Sequence, residues 1–253
     1  MRVSVVQLAY GDDEGVAQRT ARVAELVRTQ AGSDLVVLPE LWAQGGFAYD
    51  RWEQAAQPLD GPVVAAMKAA ASQLGGLLHM GSIVERDDGG QLFNTSVLLG
   101  PDGRTLATYR KIHLFGFSDG EPKLMTAGHG LVVHDIFGFA TCYDLRFPEL
   151  FRGLLDRGAQ VLLLTSAWPA KRIEHWRVLV QARAIENQMY VVACNTAGKH
   201  SGVAMGGHST IVDPWGRVLA EAGEGQEVLD VELDLDVVTS ARTKFPVLDG
   251  RVL

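Results

Sequence analysis

Three observations predict an α/β fold. Apolar runs of strand length alternate with amphipathic helical stretches through both halves of the chain. Two of those runs, Leu35-Val36-Val37-Leu38 and Val161-Leu162-Leu163-Leu164, have no polar face, so the sheets holding them must be covered on both sides. The segments Pro101-Asp102-Gly103 and Asp213-Pro214-Trp215-Gly216 place proline and glycine where tight hairpins need them, so antiparallel pairs mix with βαβ units. Helices outside and a second sheet inside satisfy the two-sided burial. A four-layer αββα sandwich is therefore expected over a single open doubly wound sheet, although the apolar pattern does not itself set the number of layers.

In chain order, the apolar strand 2–8 leads into a long amphipathic helix at 14–31, and the two-faced apolar run gives a strand at 34–38. A helix at 62–74 precedes strands at 77–84, 94–99 and 105–109, the last two joined by the Pro101-Asp102-Gly103 turn. A loop at 112–130 follows, then strands at 131–133 and 136–141. The second half repeats the alternation, with helix 149–157, strand 159–165, helix 172–187 and strand 190–195. It closes with hairpin strands at 209–212 and 218–220, a strand at 227–233 and a short helix with an irregular tail.

No Pro- or Ser-rich linker, repeat or composition shift divides the 253 residues, which are read as one domain, 1–253. The acidic loops Asp12-Asp13-Glu14 and Glu85-Arg86-Asp87-Asp88 read as solvated surface. A net charge of −7 lacks the clustered Lys and Arg excess that nucleic-acid binding requires. The first strand has no signal-peptide pattern, and no apolar run reaches the ~18 residues of a membrane span. Two cysteines make no disulfide framework. The expectation is a cytoplasmic protein, without nucleic-acid or membrane partners, acting on a small molecule.

Cys142 ends the apolar run 136–141 and opens a polar turn, Tyr143-Asp144-Leu145-Arg146, before a helix. A thiol at such a strand-to-helix elbow faces the carboxyl edge of a sheet, with free backbone N–H groups near it. Glu40 and Lys111 stand at two other strand ends, after Leu35-Val36-Val37-Leu38-Pro39 and after 104–110. Singly, each has a structural reading: a buried thiol, a helix-start acid, a surface cation beside Arg110. Together they suit acyl transfer. Glu40 would take the thiol proton, and Lys111 with the backbone N–H of Tyr143 would hold the oxyanion of the tetrahedral intermediate.

The strings Leu38-Pro39-Glu40-Leu41-Trp42, Tyr109-Arg110-Lys111-Ile112-His113-Leu114-Phe115 and Cys142-Tyr143-Asp144-Leu145-Arg146-Phe147-Pro148-Glu149-Leu150 occur in the order and spacing of the nitrilase, or carbon-nitrogen hydrolase, superfamily, which the whole chain resembles. Ala182-Arg183-Ala184-Ile185-Glu186-Asn187 and 207–216 match as well. The resemblance implies an αββα fold, a Glu-Lys-Cys triad, no metal or organic cofactor, and a homodimer pairing two sandwiches. It also implies a second glutamate near the lysine and cysteine, at Glu121. The Tyr-Asp-Leu-Arg that follows the nucleophile, and Ser166 to Trp176, resemble the ω-amidase branch, which hydrolyses 2-oxo dicarboxylic acid monoamides such as 2-oxoglutaramate. General aliphatic amidase, deaminated glutathione amidase, nitrilase or a non-catalytic scaffold are the alternatives.

An acidic substrate needs a cation, and Arg146 could supply one, or could instead pair with Glu149 or Asp144 and shape the elbow. Phe117, Trp168, Met205 and, more weakly, Tyr49 are candidates for the pocket wall, or else ordinary core or dimer contacts. His208 is expected to bond within its loop. Cys194, with no acid or lysine partner, reads as a structural thiol, and Arg183 and Glu186 as an ion-paired helix face without a catalytic role.

Overall fold

A computed structural model describes residues 1–252. The elements in chain order are β1 (Arg2–Gln7), β2 (Ala9–Tyr10), α1 (Val16–Arg28), β3 (Leu35–Val37), α2 (Trp52–Ala55), α3 (Pro62–Leu74), β4 (Leu77–Arg86), β5 (Leu92–Leu99), β6 (Thr105–Arg110) and α4 (Glu121–Leu124). The second half holds β7 (Val133–His134), β8 (Phe137–Thr141), α5 (Pro148–Leu155), β9 (Val161–Thr165), α6 (Ile173–Asn187), β10 (Tyr190–Cys194), β11 (Ala197–His200), β12 (Val203–Ala204), β13 (Thr210–Val212), β14 (Val218–Glu221), β15 (Glu227–Glu232) and α7 (Asp236–Lys244).

The strands form two six-stranded sheets, ordered β15-β1-β3-β4-β5-β6 and β14-β13-β10-β9-β8-β7. Their side chains alternate between two environments, as the two-faced strands require. Val3, Val5, Leu35 and Val37 of the first sheet meet Phe139, Leu163 and Val192 of the second in a shared core, while Val36 and Leu78 turn outward against α1 and α3. Leu162, Leu164 and Val191 turn outward against α5 and α6. The expected layers of helix, sheet, sheet and helix are thus present, and each buried Val or Leu contributes roughly 1.5–3 kcal/mol to holding them together.

Most expected elements form, with ends displaced by a few residues. The strand expected at 131–133 forms at Val133–His134 because Asp135, at φ 53°, turns the hairpin into β8. The loop 112–130 contains α4, which the sequence reading left without structure. A third sheet, β12-β11-β2, was also not foreseen; its parallel pairing of Ala9 with Ala197 ties the beginning of the chain to the segment after β10.

Two local constraints shape the first sheet near its functional edge. Gly81 sits at φ +71° where β4 crosses the end of β3, and a Cβ there would lie 1.9 Å from the Pro39 carbonyl oxygen. Only glycine permits that approach, which fixes the position of Glu40 one residue on. His79, two residues earlier in β4, is fully buried beside Phe139 with both ring nitrogens unpartnered among the described residues.

Burial pushes the pKa of His79 from 6.5 down to about 4. Below about pH 6.5 the unfolded imidazole binds a proton that the folded one refuses, so stability falls as pH drops toward about 4 and is unaffected above that window. At about 1.4 kcal/mol per unit, wild type should lose about 3 kcal/mol more than His79→Leu between about pH 7 and pH 4. Urea titrations across that range measure it, and parallel pH profiles for the two proteins would contradict it.

Candidate active site

Glu40, Lys111 and Cys142 follow the ends of β3, β6 and β8, and the two sheets bring these ends together with α4. Lys111 is fully buried. Its Nζ donates to Glu40 Oε1 at 2.8 Å and lies 2.8–3.0 Å from the two carboxylate oxygens of Glu121. Burial alone would push the ammonium toward neutrality, but Glu121 and Glu40 together hold its pKa well above the ordinary lysine range. Burial also raises the carboxyl of Glu121, which Lys111 partly offsets.

The second oxygen of each glutamate is fixed by main chain. Glu40 Oε2 accepts from the Ala167 amide at 2.8 Å, and Glu121 Oε2 accepts from the Phe115 amide at 2.5 Å. Asn94 completes the cluster. This buried residue of β5 donates from one amide nitrogen to Glu40 Oε1 at 2.7 Å and to Glu121 Oε1 at 2.8 Å. It was not singled out from sequence, because an asparagine in a strand declares a role only when its cross-strand neighbours are known. Its main-chain carbonyl accepts the Lys111 main-chain N–H at 2.9 Å, so the same residue positions lysine and acids alike.

The elbow at Cys142 is built as a tight 3₁₀ turn, with the helix α5 beginning only at Pro148. Cys142 itself has φ 47°, a left-handed conformation uncommon for a non-glycine residue. Asp144 holds it there. Its carboxylate accepts from the Thr141 amide at 2.9 Å, the Tyr109 hydroxyl at 2.7 Å and the His113 amide at 3.0 Å. The last two flank Lys111, so one buried acid pins the thiol's turn to the lysine's segment. Burial raises the pKa of the Cys142 thiol, the Glu40 carboxylate raises it further, and Lys111 opposes both, so the resting group is a neutral thiol.

The thiol opens on a narrow cleft lined by Phe47, Phe115, Tyr143, Arg146, Trp168 and Arg172 with the segment Ala167–Pro169. Arg146 pairs with neither Glu149 nor Asp144. It lies 4.7 Å over the Trp168 ring and 3.2 Å from His175 Nδ1. Arg172, also unforeseen, places its guanidinium 5.3 Å from the centre of the Phe115 ring. Phe117, expected on the wall, is instead 93% exposed, because Gly116 at φ +131° reverses the chain and leaves Phe115 inside. Met205 is buried behind the wall, bridged to Pro169. Tyr49 packs edge-on against Trp52, off the cleft wall, and burial, then Glu121, raises its pKa to about 12.

Other residues fall outside the cleft. Cys194 is fully buried and directs its Sγ to the Val6 carbonyl at 3.4 Å. Arg183 and Glu186 pair at 2.7 Å. His208 Nδ1 lies 2.8 Å from Glu221 Oε1 on β14 and 3.1 Å from an Arg177 nitrogen on α6, both beyond its own loop. Among the described residues no group of three or more His, Cys, Asp or Glu is arranged to hold a metal.

A thiol, a buried lysine and two fixed acids at one sheet edge define a cysteine hydrolase of the nitrilase kind, and the chain belongs to the carbon-nitrogen hydrolase family, whose model matches residues 2–243. It is 42% identical to 2-oxoglutaramate amidase of Paenarthrobacter nicotinovorans, over 98% of this chain and 88% of that one. Identity is 37% with 2-oxoglutaramate amidase of Bacillus subtilis, over 86% of this chain and 84% of that one. The fold superposes with a TM-score of 0.91 on a carbon-nitrogen hydrolase superfamily protein from Xanthomonas campestris whose crystal structure carries an arsenic adduct in the active site; the two are 31% identical, covering 100% of this chain and 98% of that one.

Removing the cation of this cluster strands two buried acids. Lys111→Met should lower stability by about 3 kcal/mol at neutral pH, in the range for breaking a buried pair. The penalty should shrink in mild acid, where the orphaned carboxylates take up protons. Urea midpoints at neutral and mildly acidic pH measure both effects; a pH-independent loss would mean that charge is not its cause.

Proposed function

We propose that the chain is a cofactor-independent amidase hydrolysing the terminal amide of 2-oxo dicarboxylic acid monoamides of the 2-oxoglutaramate type. The observation that carries the reading is Lys111 Nζ held between Glu40 and Glu121 beneath the cleft onto which Cys142 opens. Similarity to 2-oxoglutaramate amidases supports the substrate class. Arg146, free of any carboxylate partner among the described residues, supports an anionic substrate.

In this mechanism Glu40 accepts the Cys142 proton as sulfur attacks the amide carbonyl, since a neutral thiol cannot attack unaided. Two of the three Lys111 N–H bonds go to glutamates, which leaves one for the oxyanion, with the Tyr143 amide as second donor. Glu40 returns the proton to the departing nitrogen and ammonia leaves a thioester. Glu40 then deprotonates water, which attacks the thioester carbonyl, and the acid and the free thiol are released. Glu121 anchors Lys111, and Asn94 orients both acids.

The two thiols, unpaired in the structure, fit a reducing compartment, and we place the protein in the cytoplasm. A homodimer is supported by an exposed apolar face joining Ile185 of α6 to Trp215, Phe245 and Val247. Light scattering should give twice the monomer mass, and Ile185→Asp should shift it to monomer; a monomeric wild type excludes the dimer.

Cys142→Ala should abolish ammonia release while leaving the unfolding midpoint within a few degrees of wild type. Measured against 2-oxoglutaramate, 2-oxosuccinamate, deaminated glutathione, propionamide and propionitrile, wild type should favour the 2-oxo acid amides. Residual turnover in the alanine variant excludes Cys142 as nucleophile, and preference for propionamide excludes the substrate class.

A further inference from the structure

The cleft carries a second cation that the sequence reading left unassigned. Arg172 ends a short 3₁₀ turn, Ala170–Arg172, immediately before α6. Its carbonyl accepts the Trp168 indole N–H at 2.7 Å, and its amide donates to the Pro169 carbonyl at 3.1 Å. Its backbone is therefore tied to the segment that forms the cleft wall, and its half-buried guanidinium reaches over Phe115. Among the described residues that guanidinium has no carboxylate or hydrogen-bond partner. Most other arginines are satisfied by acids or carbonyls, as Arg110 is by Glu85 and Arg242 by Ala159.

No acidic side chain lines this cleft. Arg146 and Arg172 come from different elements, and each lies against an aromatic ring of the wall, Trp168 and Phe115. An aromatic face restricts a guanidinium without using its N–H donors, so the Arg172 fork remains available to a ligand, and Arg146 keeps the donors not directed at His175 Nδ1. A single carboxylate has room for one bidentate fork. A 2-oxo acid offers a further acceptor, the keto oxygen next to the carboxylate. We infer that Arg172 is a specificity-determining residue, which together with Arg146 clamps the 2-oxo carboxylate end of the substrate and leaves the amide end at Cys142. This rests on the substrate class proposed above.

Selectivity, the ratio of kcat/KM for 2-oxoglutaramate to that for propionamide, is the readout that separates the clamp from a structural role. Arg172→Met should lower that ratio on the order of 30- to 100-fold, the loss expected for a charge-assisted hydrogen bond. Arg172→Lys should fall between, keeping the charge but losing the planar fork. Lys171→Met, which removes the exposed neighbouring cation outside the cleft, should not change the ratio. Equal proportional losses for both amides in Arg172→Met, or an unchanged ratio, would overturn the inference. Titration of Cys142→Ala with 2-oxoglutarate tests the clamp without turnover, and adding Arg172→Met should weaken binding by a similar factor. If wild type prefers propionamide, the substrate reading fails by itself; the clamp is then supported by weakened 2-oxoglutarate binding and overturned by binding that Arg172→Met leaves unchanged.

Discussion

Everything at the sheet edge depends on keeping one ammonium charged where no water reaches it. Lys111 can stay protonated only because two carboxylates face it at hydrogen-bond distance, and those carboxylates tolerate each other only because of Lys111 and Asn94. One cation against two acids leaves the cluster short of positive charge, and this is the environment the thiol meets. The cysteine is therefore held protonated, unlike a cysteine paired with an imidazolium. In the proposed mechanism its activation coincides with attack, when Glu40 takes the thiol proton and the developing oxyanion accepts from the third N–H of Lys111.

The geometry that permits this is distributed over distant parts of the chain. Glu40 is placed by the close crossing of Pro39 and Gly81, Glu121 by the one-turn helix inside a long loop, and Cys142 by the Asp144 contacts to Tyr109 and His113. Gly81, Tyr109 and His113 each lie far along the chain from the residue they help to place.

That separation explains what the amino-acid pattern revealed. Two-faced apolar runs such as 161–164 announced sheets buried on both sides, and the groups following three strand ends announced a site. Two-residue strands such as β2 and β12 carry no periodicity, so the third sheet stayed hidden. Asp144 could be read as a partner for Arg146, because two of its actual partners, Tyr109 and His113, lie more than 30 positions away. Arg172 looked like an ordinary helix start. Phe117 reads as a wall residue and Phe115 does not stand out, because the reversal at Gly116 is a property of the backbone that residue types do not carry.

The pairing of β1 with β15 sets Arg2 opposite Glu232 and Gln7 opposite Glu227, and the Gln7 side chain adds bonds to the Gly223 carbonyl and the Ser209 amide. The two edges of β1 are therefore covered by partners of very different sequence separation, β3 nearby and β15 more than 200 residues on. Until β15 pairs, the nascent chain exposes an unpaired edge beside apolar surface, a stage at which chaperone protection matters most.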